Sequence, residues 1–378
     1  MRIISNIILI IGTLQVQAQS SYLLKNVRLF DGFEVIENTD ILIMDSTIFE
    51  IGENLSKPNA ATVQVNGNGK TVIPGLINAH VHAWIPYHLK NAMEAGVFAV
   101  LDMHSSVTET APLRLAKLTE GLAKFYSSGS AATVEGGHGT QYWFEVPVIG
   151  GNRSPEEFVN EVLDQGSDYI KIIYEHKRAT LSIEQVERVI NESHAHSKLA
   201  VAHISTFQDA FDVVTKNIDG LVHLWKDSLM RDSFVAEAKT RETFVIPTLT
   251  TLQGVINYYA EIEREYTGLS LAILLSEVKK LSQAGILLLA GTDAPNVNLD
   301  YGSSLHAEME LFVEAGLTPV EALKTATSNV NAAFSLENFG TIKVGQAANF
   351  NLIDGDPTTD ITDSKNIVGI WAEGKKIK

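Results

Sequence analysis

The chain has 378 residues, with 29 Lys and Arg against 45 Asp and Glu, a formal net charge of -16 and no cysteine. That charge excludes nucleic acid and anionic membrane surfaces as electrostatic partners, and the lack of cysteine excludes disulfides and a lipid-modified thiol. Its 45% hydrophobic and 20% charged content is ordinary for a folded protein, and the length suits one large domain with an accessory domain.

At the N-terminus, Arg2 precedes a mostly apolar run over 3–14, and Val16-Gln17-Ala18 supplies small or tolerated residues before a cut ahead of Gln19. This reads as a secretory signal peptide over 1–18. About a dozen apolar residues are too few to span a bilayer. The expectation is therefore a periplasmic or secreted protein with no membrane contact after cleavage.

Residues 22–72 carry short alternating runs punctuated by Asp31-Gly32 and by Gly52, Gly67 and Gly69, the pattern of a small antiparallel sheet. From residue 77 the rhythm changes to strand, loop and helix. Apolar runs at 77–84, 97–103, 131–135, 169–174, 199–204, 220–224, 243–247 and 286–291 read as strands buried on both faces. Helical patterns fall at 112–126, 155–165, 183–193, 207–215, 233–241, 269–283, 305–315 and 319–334. Ser154-Pro155 and Thr318-Pro319 carry an N-cap, Pro at the first helical position and acid in the first turn. Such a repeat over roughly 260 residues has the size of a (β/α)8 TIM barrel. An open doubly wound sheet would need a Gly-rich nucleotide turn after an early strand, and the sequence has none. Strand-like pieces return at 341–342, 350–353 and 367–371. The expected layout is a barrel over 74–335 and a small β-sandwich domain built from both chain ends, 19–73 and 336–378.

The chemistry gathers at the ends of the barrel strands, where the active sites of such barrels lie. The first strand ends in His80-Val81-His82, two imidazoles one residue apart that share a strand face. The fourth holds Lys171 inside an apolar run, the fifth and sixth end in His203 and His223, and the eighth ends in Gly291-Thr292-Asp293. An ammonium beside divalent metal is repelled, so Lys171 cannot be a ligand as it stands. Burial and nearby cations lower its pKa, and the neutral amine can add carbon dioxide to become a carbamate, an anionic oxygen ligand able to bridge two ions.

The set His80, His82, Lys171, His203, His223 and Asp293 resembles the amidohydrolase superfamily in its binuclear, carbamylated-lysine form. Pro74-Gly75-Leu76-Ile77, Ala322-Leu323-Lys324-Thr325-Ala326-Thr327 and Asp354-Gly355-Asp356-Pro357 resemble the family's framing segments. Gly136-Gly137-His138-Gly139 and His306-Ala307-Glu308 are similar to the imidazolonepropionase-like group, which includes Xaa-Pro dipeptidases. Asn78 stands where the family usually has Asp, and Leu224-Trp225-Lys226-Asp227 lacks the Tyr that dipeptidases of this group tend to place after the sixth strand.

The resemblance implies two divalent metal ions, with zinc expected, one held by His80, His82, Asp293 and the Lys171 carbamate and the other by His203, His223 and the same carbamate. It implies a metal-bridging hydroxide that hydrolyses an amide C–N bond in a dipeptide, N-acyl amino acid or cyclic amide, with Asp293 as the proton carrier. The alternatives are lactonase, esterase or phosphotriesterase activity at the same site, or a non-catalytic binding protein. Deaminases of the family are usually mononuclear and lack the strand-four Lys. The partner is a small-molecule substrate, met by His138, Tyr142, Trp225 and Lys226, with Trp84, His104, Trp143, Phe144 and Tyr301 near the mouth. His88, His176, His194, His196 and His306 are assigned to surface or structural roles. Monomer and homo-oligomer are both compatible with the sequence.

Overall fold

Two β-systems share one chain, and the ends of the chain complete the first. The computed structural model describes residues 21–378, so the signal peptide expected over 1–18 lies outside the described residues. Strands β1 (Ser21–Phe30), β2 (Val35–Met44), β3 (Thr47–Gly52), β4 (Val63–Asn66) and β5 (Lys70–Pro74) open the chain. β1 pairs antiparallel with β2 but parallel with β4 and β5. The sheet is therefore mixed where alternation alone suggested antiparallel. Alternation reports which face is buried, not the direction of the neighbouring strand.

The chain leaves this sheet at Pro74 and enters the barrel at once. β6 (Leu76–Val81), β7 (Val97–Asp102) and β8 (Lys124–Ser127) form one parallel arc. β9 (Ile170–Ile173), β10 (Ala200–His203), β11 (Gly220–Val222) and β12 (Phe244–Ile246) form another. A parallel bridge from Ala132 to Ile172 joins the arcs on one side, and bridges Val245 to Leu288 and Val81 to Ala294 join them on the other through the segment around 286–294. Ala79 N also donates to the Ala290 carbonyl at 2.9 Å, closing the ring beside the first strand. Ile77, Ala79, Leu101, Tyr169, Val201, Phe244, Ile246 and Leu289 belong to one buried cluster across these strands, and a larger apolar layer packs against the helices.

Two element expectations change. The third strand is Lys124–Ser127 rather than 131–135, and the region expected as a helix over 112–126 holds only short 3-10 turns before it. Gly121, at φ +76°, ends the last turn, and Lys124-Phe125-Tyr126-Ser127 then alternates buried and half-exposed residues as a strand does. The helix expected over 319–334 is two helices, Pro319–Thr325 and Ser328–Phe334, broken where Thr327 leaves helical dihedrals. Helices Pro86–Glu94 and Leu249–Glu261 were not legible as periodic patterns. The expected caps at Ser154 and Thr318 are full capping boxes, with Glu157 and Glu321 returning the hydrogen bond.

β13 (Phe350–Asp354), β14 (Ile367–Ala372) and β15 (Lys375–Lys376) return to the first sheet, β13 lying antiparallel to β5. Leu24, Val27, Ile41, Ile43, Val72, Phe350 and Trp371 make its core, with the Phe350 and Trp371 rings stacked 5.0 Å apart. Asp40 is the buried polar anchor of the sheet. It accepts hydrogen bonds from Lys25 Nζ at 2.5 Å and from the backbone N–H groups of Asn26 and Leu55 at 2.9 Å. Burial works to raise its pKa, but these donors outweigh it and hold the carboxyl below 3.8. A depressed folded-state pKa gives stability that is present above 3.8 and is lost as pH falls through the folded value. Asp40→Asn should therefore cost about 1–3 kcal/mol at neutral pH. Urea unfolding should show that gap shrinking below pH 3.8.

Candidate metal centre

Strand-end geometry brings the six expected donors around one cavity of about 210 Å³. His80, His82, Lys171, His203, His223 and Asp293 all line it, together with Met103, His104, His138, Gly139, Gln141, Tyr142, Ile173 and Asn296. The register of β6 against β7 shifts between Asn78 and Val81, where the strand bends to present both of its imidazoles, whose centroids are 5.3 Å apart. In the parallel register of β9 and β10, Lys171 lies opposite Val201 and His203 lies opposite Ile173. Lys171 thus starts one layer deeper than His203, and its long side chain spans the difference.

Three donors or donor partners leave ordinary backbone conformations. His223, Thr248 and Asp293 sit at φ +72°, +51° and +60°, a region costly for residues with a Cβ and common at functional sites. Backbone hydrogen bonds hold two of them in place: His223 N donates to the Ile246 carbonyl at 2.8 Å and Asp293 N to the His80 carbonyl at 2.8 Å. A Cβ at Gly291 would lie 2.8 Å from His80 N, so only glycine lets the bridged segment 286–294, expected as a strand over 286–291, run this close to β6. Asn78 crosses the same seam. Its Nδ2 donates to Thr292 Oγ1 at 2.9 Å, and its Oδ1 accepts from Thr292 N and His80 N.

The donor atoms point at one another without satisfying one another. Asp293 Oδ1 lies 3.2 Å from His80 Nε2 and 3.1 Å from His82 Nε2. Yet Asp293 Oδ1, both His80 ring nitrogens and His203 Nε2 are buried with no hydrogen-bond partner. Buried polar atoms are rarely left so, and the lone pairs of Asp293 Oδ1 and the Nε2 atoms of His80 and His82, converging off hydrogen-bond geometry, are what a divalent cation needs. His80, His223 and Asp293 offer ligand atoms within 4.8 Å of one another. The residues present fit a metal centre.

The electrostatics agree. Burial lowers His80 to about 3 and His203 to about 4, and pushes His223 well below 6.5, which keeps the imidazoles in their neutral, ligating form. Burial likewise lowers Lys171 to about 7. Among the described residues, no carboxylate lies within ion-pair distance of its amine. For Asp293, burial works to raise the pKa, but His80, His82 and His223 hold it well below 3.8. Outer partners aim the rings. His223 Nδ1 meets Thr248 Oγ1 at 2.7 Å, and His82 Nδ1 lies 3.4 Å from the His104 carbonyl.

The substrate-side expectations divide. His138 and Tyr142 line the cavity, Tyr142 between His104 and Phe144 at centroid distances of 5.0 and 5.5 Å. Trp225 does not reach it. The left-handed turn at His223 sends Leu224 and Trp225 into the outer apolar layer, where Trp225 is 0% exposed and packs on Phe207 and Phe234. Lys226 is half-buried and does not line the cavity either. His306 is structural as expected, bonded to Ser364 and the Ala95 carbonyl, and His88 stacks on Tyr301 at 4.2 Å.

Several residues escaped the sequence. Glu175, four residues past Lys171, is buried beside His138 and His203. An acid just after an apolar strand was its only signal. Thr248, Gln141 and Asn296 had none. Asn296 Nδ2 donates to Asp293 Oδ2 at 2.9 Å.

A closed barrel carrying clustered His and Asp donors at its strand ends defines a metal-dependent hydrolase class. Residues 71–377 match the Amidohydrolase family, and the chain belongs to it. The chain is 24% identical over 356 residues to 5'-deoxyadenosine deaminase of Methanosarcina acetivorans, covering 84% of this chain and 80% of that one. It is 23% identical over 360 residues to imidazolonepropionase of Deinococcus radiodurans, covering 86% and 88%. A solved Xaa-Pro dipeptidase with bound methionine in the active site has the same fold, with a TM-score of 0.80 at 20% identity over 95% of this chain and 100% of that one.

Thr248 holds His223 Nδ1, so Thr248→Val should lower the affinity for an added divalent metal ion about 10–100-fold. Chelator competition measures this, and thermal unfolding of the metal-free protein should change little.

Proposed function

We propose that this metal-dependent hydrolase cleaves an amide C–N bond, in a dipeptide, an N-acyl amino acid or a cyclic amide. One observation carries the reading: Lys171 lines the same cavity as four imidazoles and Asp293, buried and without a carboxylate partner among the described residues. An amine lowered to about 7 is accessible in its neutral form near neutral pH. By adding carbon dioxide and releasing a proton it becomes an anionic oxygen donor between the two halves of the donor set.

His80, His82, Asp293 and the modified Lys171 would hold one divalent ion, and His203, His223 and the same group a second, with zinc the expected metal. Bound there, such a pair supplies Lewis acidity and makes water a nucleophile at neutral pH. The remaining work falls to the chain. Asn296 Nδ2 donates to Asp293 Oδ2 and so fixes the carboxylate, which would take the proton of the attacking water and return it to the leaving nitrogen. His138, Gln141 and Tyr142 face the substrate from a single loop. That loop is tied down by His104, whose Nε2 donates to the Gly139 carbonyl at 3.1 Å while its Nδ1 accepts from Ala131 N at 2.9 Å. With residues 1–18 read as a secretory signal, the enzyme would act in a periplasm or outside the cell.

The test is a panel of blocked and unblocked dipeptides, lactones and a deoxyadenosine, assayed with added zinc or manganese. Amides should be cleaved, a chelator should abolish turnover and zinc should restore it. Turnover confined to lactones or to deamination would overturn the amide reading, as would a purified protein that holds no metal and gains no activity with it.

Lys171→Ala should leave the barrel folded and remove hydrolysis. Intact mass of the parent under native conditions should show one added carbon dioxide that the variant lacks.

A further inference from the structure

Glu175 is a buried carboxylate that the proposed mechanism does not use. It stands two residues beyond the end of β9, where Tyr174 N donates to the His203 carbonyl at 3.0 Å and keeps the fourth and fifth strands together. Its own backbone N–H donates to Thr180 Oγ1 at 3.2 Å. Both carboxylate oxygens are committed. Oε1 is bonded to His138 Nδ1 at 2.7 Å, while Oε2 accepts from Ser205 Oγ at 2.6 Å and lies 3.5 Å from His203 Nε2. The His138 and His203 rings meet edge to face with centroids 4.6 Å apart.

Among the described residues, no Lys or Arg comes within ion-pair distance of this group, which is 5% exposed. A buried carboxylate is costly unless paired, and here it bonds one imidazole and one hydroxyl and faces a second imidazole at 3.5 Å. Both imidazoles line the cavity, one on the metal side and one on the substrate side. A carboxylate against one ring nitrogen sets ring orientation and tautomer, and so which nitrogen remains for an ion or a substrate. A carboxylate serving only the stability of the strand end has no need to touch two rings of the site.

We propose that Glu175 is a positioning residue that ties the substrate-facing His138 to the metal-side His203 through one carboxylate. This rests on the reading of the site as a metal centre. Removing Glu175 should then disturb metal binding and substrate binding together, whereas removing His138 should disturb only the second.

The experiment compares Glu175→Gln, His138→Ala, the double variant and Ser205→Ala in the full protein. It reads zinc affinity by chelator competition, and KM and kcat separately with the best-cleaved member of the dipeptide panel. Glu175→Gln should weaken zinc binding about 10–100-fold and raise KM at saturating zinc. His138→Ala should raise KM and leave zinc affinity within twofold, and the double variant should have a KM no higher than the worse single one. Ser205→Ala keeps the charge and should weaken zinc binding by a smaller factor, so the question stays answerable if Glu175→Gln does not fold. Parent-like zinc affinity in Glu175→Gln, or in Ser205→Ala where the former is unfolded, would overturn the proposal. Multiplying KM effects in the double variant would do the same. Should no amide be cleaved at all, the amide reading falls while the zinc comparison still decides the role of Glu175.

Discussion

Burying a primary amine inside a ring of imidazoles sets the terms for everything else at the strand ends. Lys171 is 3% exposed, its pKa is lowered by that burial, and no carboxylate offsets it at close range among the described residues. Asp293 and Glu175 both stay ionised despite burial, held there by neighbouring imidazoles. The cavity is therefore rich in lone pairs and anionic oxygens, with its one amine standing apart from both carboxylates. Ammonium–carboxylate pairing would be the ordinary way to neutralise such a set. Its geometry is absent here, which leaves the demand for positive charge to a metal ion that the imidazoles and Asp293 can hold.

Meeting that demand restricts the backbone as much as the side chains. Parallel ladders stop at the C-terminal ends of the strands, and there residues can leave extended geometry without breaking pairs. His223, Thr248 and Asp293 take left-handed conformations at that rim. Such strain persists only where the surroundings over-determine it. The surroundings here are specific: Glu308 accepts from Leu249 N and Thr250 N at 2.8 and 2.7 Å, fixing the start of the helix that Thr248 precedes. Thr251 Oγ1 donates to the Thr292 carbonyl at 2.7 Å, coupling that helix to the loop of Asp293. Asn78 then joins Thr292 to the first strand. An amide in place of the acid the family favours works here because it both donates and accepts across the seam, which a carboxylate cannot do.

The sequence was informative where chemistry and period coincide. Four His and one Asp at the ends of apolar runs, with one Lys inside another, pointed to residues that line one cavity, because a barrel repeats its strand ends at a rhythm visible in one dimension. Strand 124–127 was hidden because a Lys-Phe-Tyr-Ser stretch after Pro112 reads equally as a helix end, and only pairing with β7 decides it. Trp225 was misplaced because a left-handed turn at His223 reverses the direction of the residues after it, and nothing in the residue type of a histidine announces a positive φ. Glu175 and Thr248 act through contacts 25 or more residues away in sequence, at distances that no local pattern encodes.

The two halves of the site have different origins in the chain. The histidines and Lys171 on the metal side sit on or directly beyond strands, and Asp293 sits on a segment bridged to its neighbours at Leu288 and Ala294. His138, Gln141 and Tyr142 instead ride one loop, pinned at Gly139 by His104 and walled by the Tyr142–Phe144 stack. A loop changes length and composition at little cost to a barrel, while a strand end does not. Relatives named for a deaminase and an imidazolonepropionase, and a dipeptidase of the same fold, share only 20–24% identity with this chain. A shared barrel scaffold with exchangeable loops permits such spread. Glu175 lies at the junction of the two halves, with one oxygen on the loop histidine and the other facing a strand-end histidine. It is the point at which a change in the loop can be felt by the metal side without any donor moving on its strand.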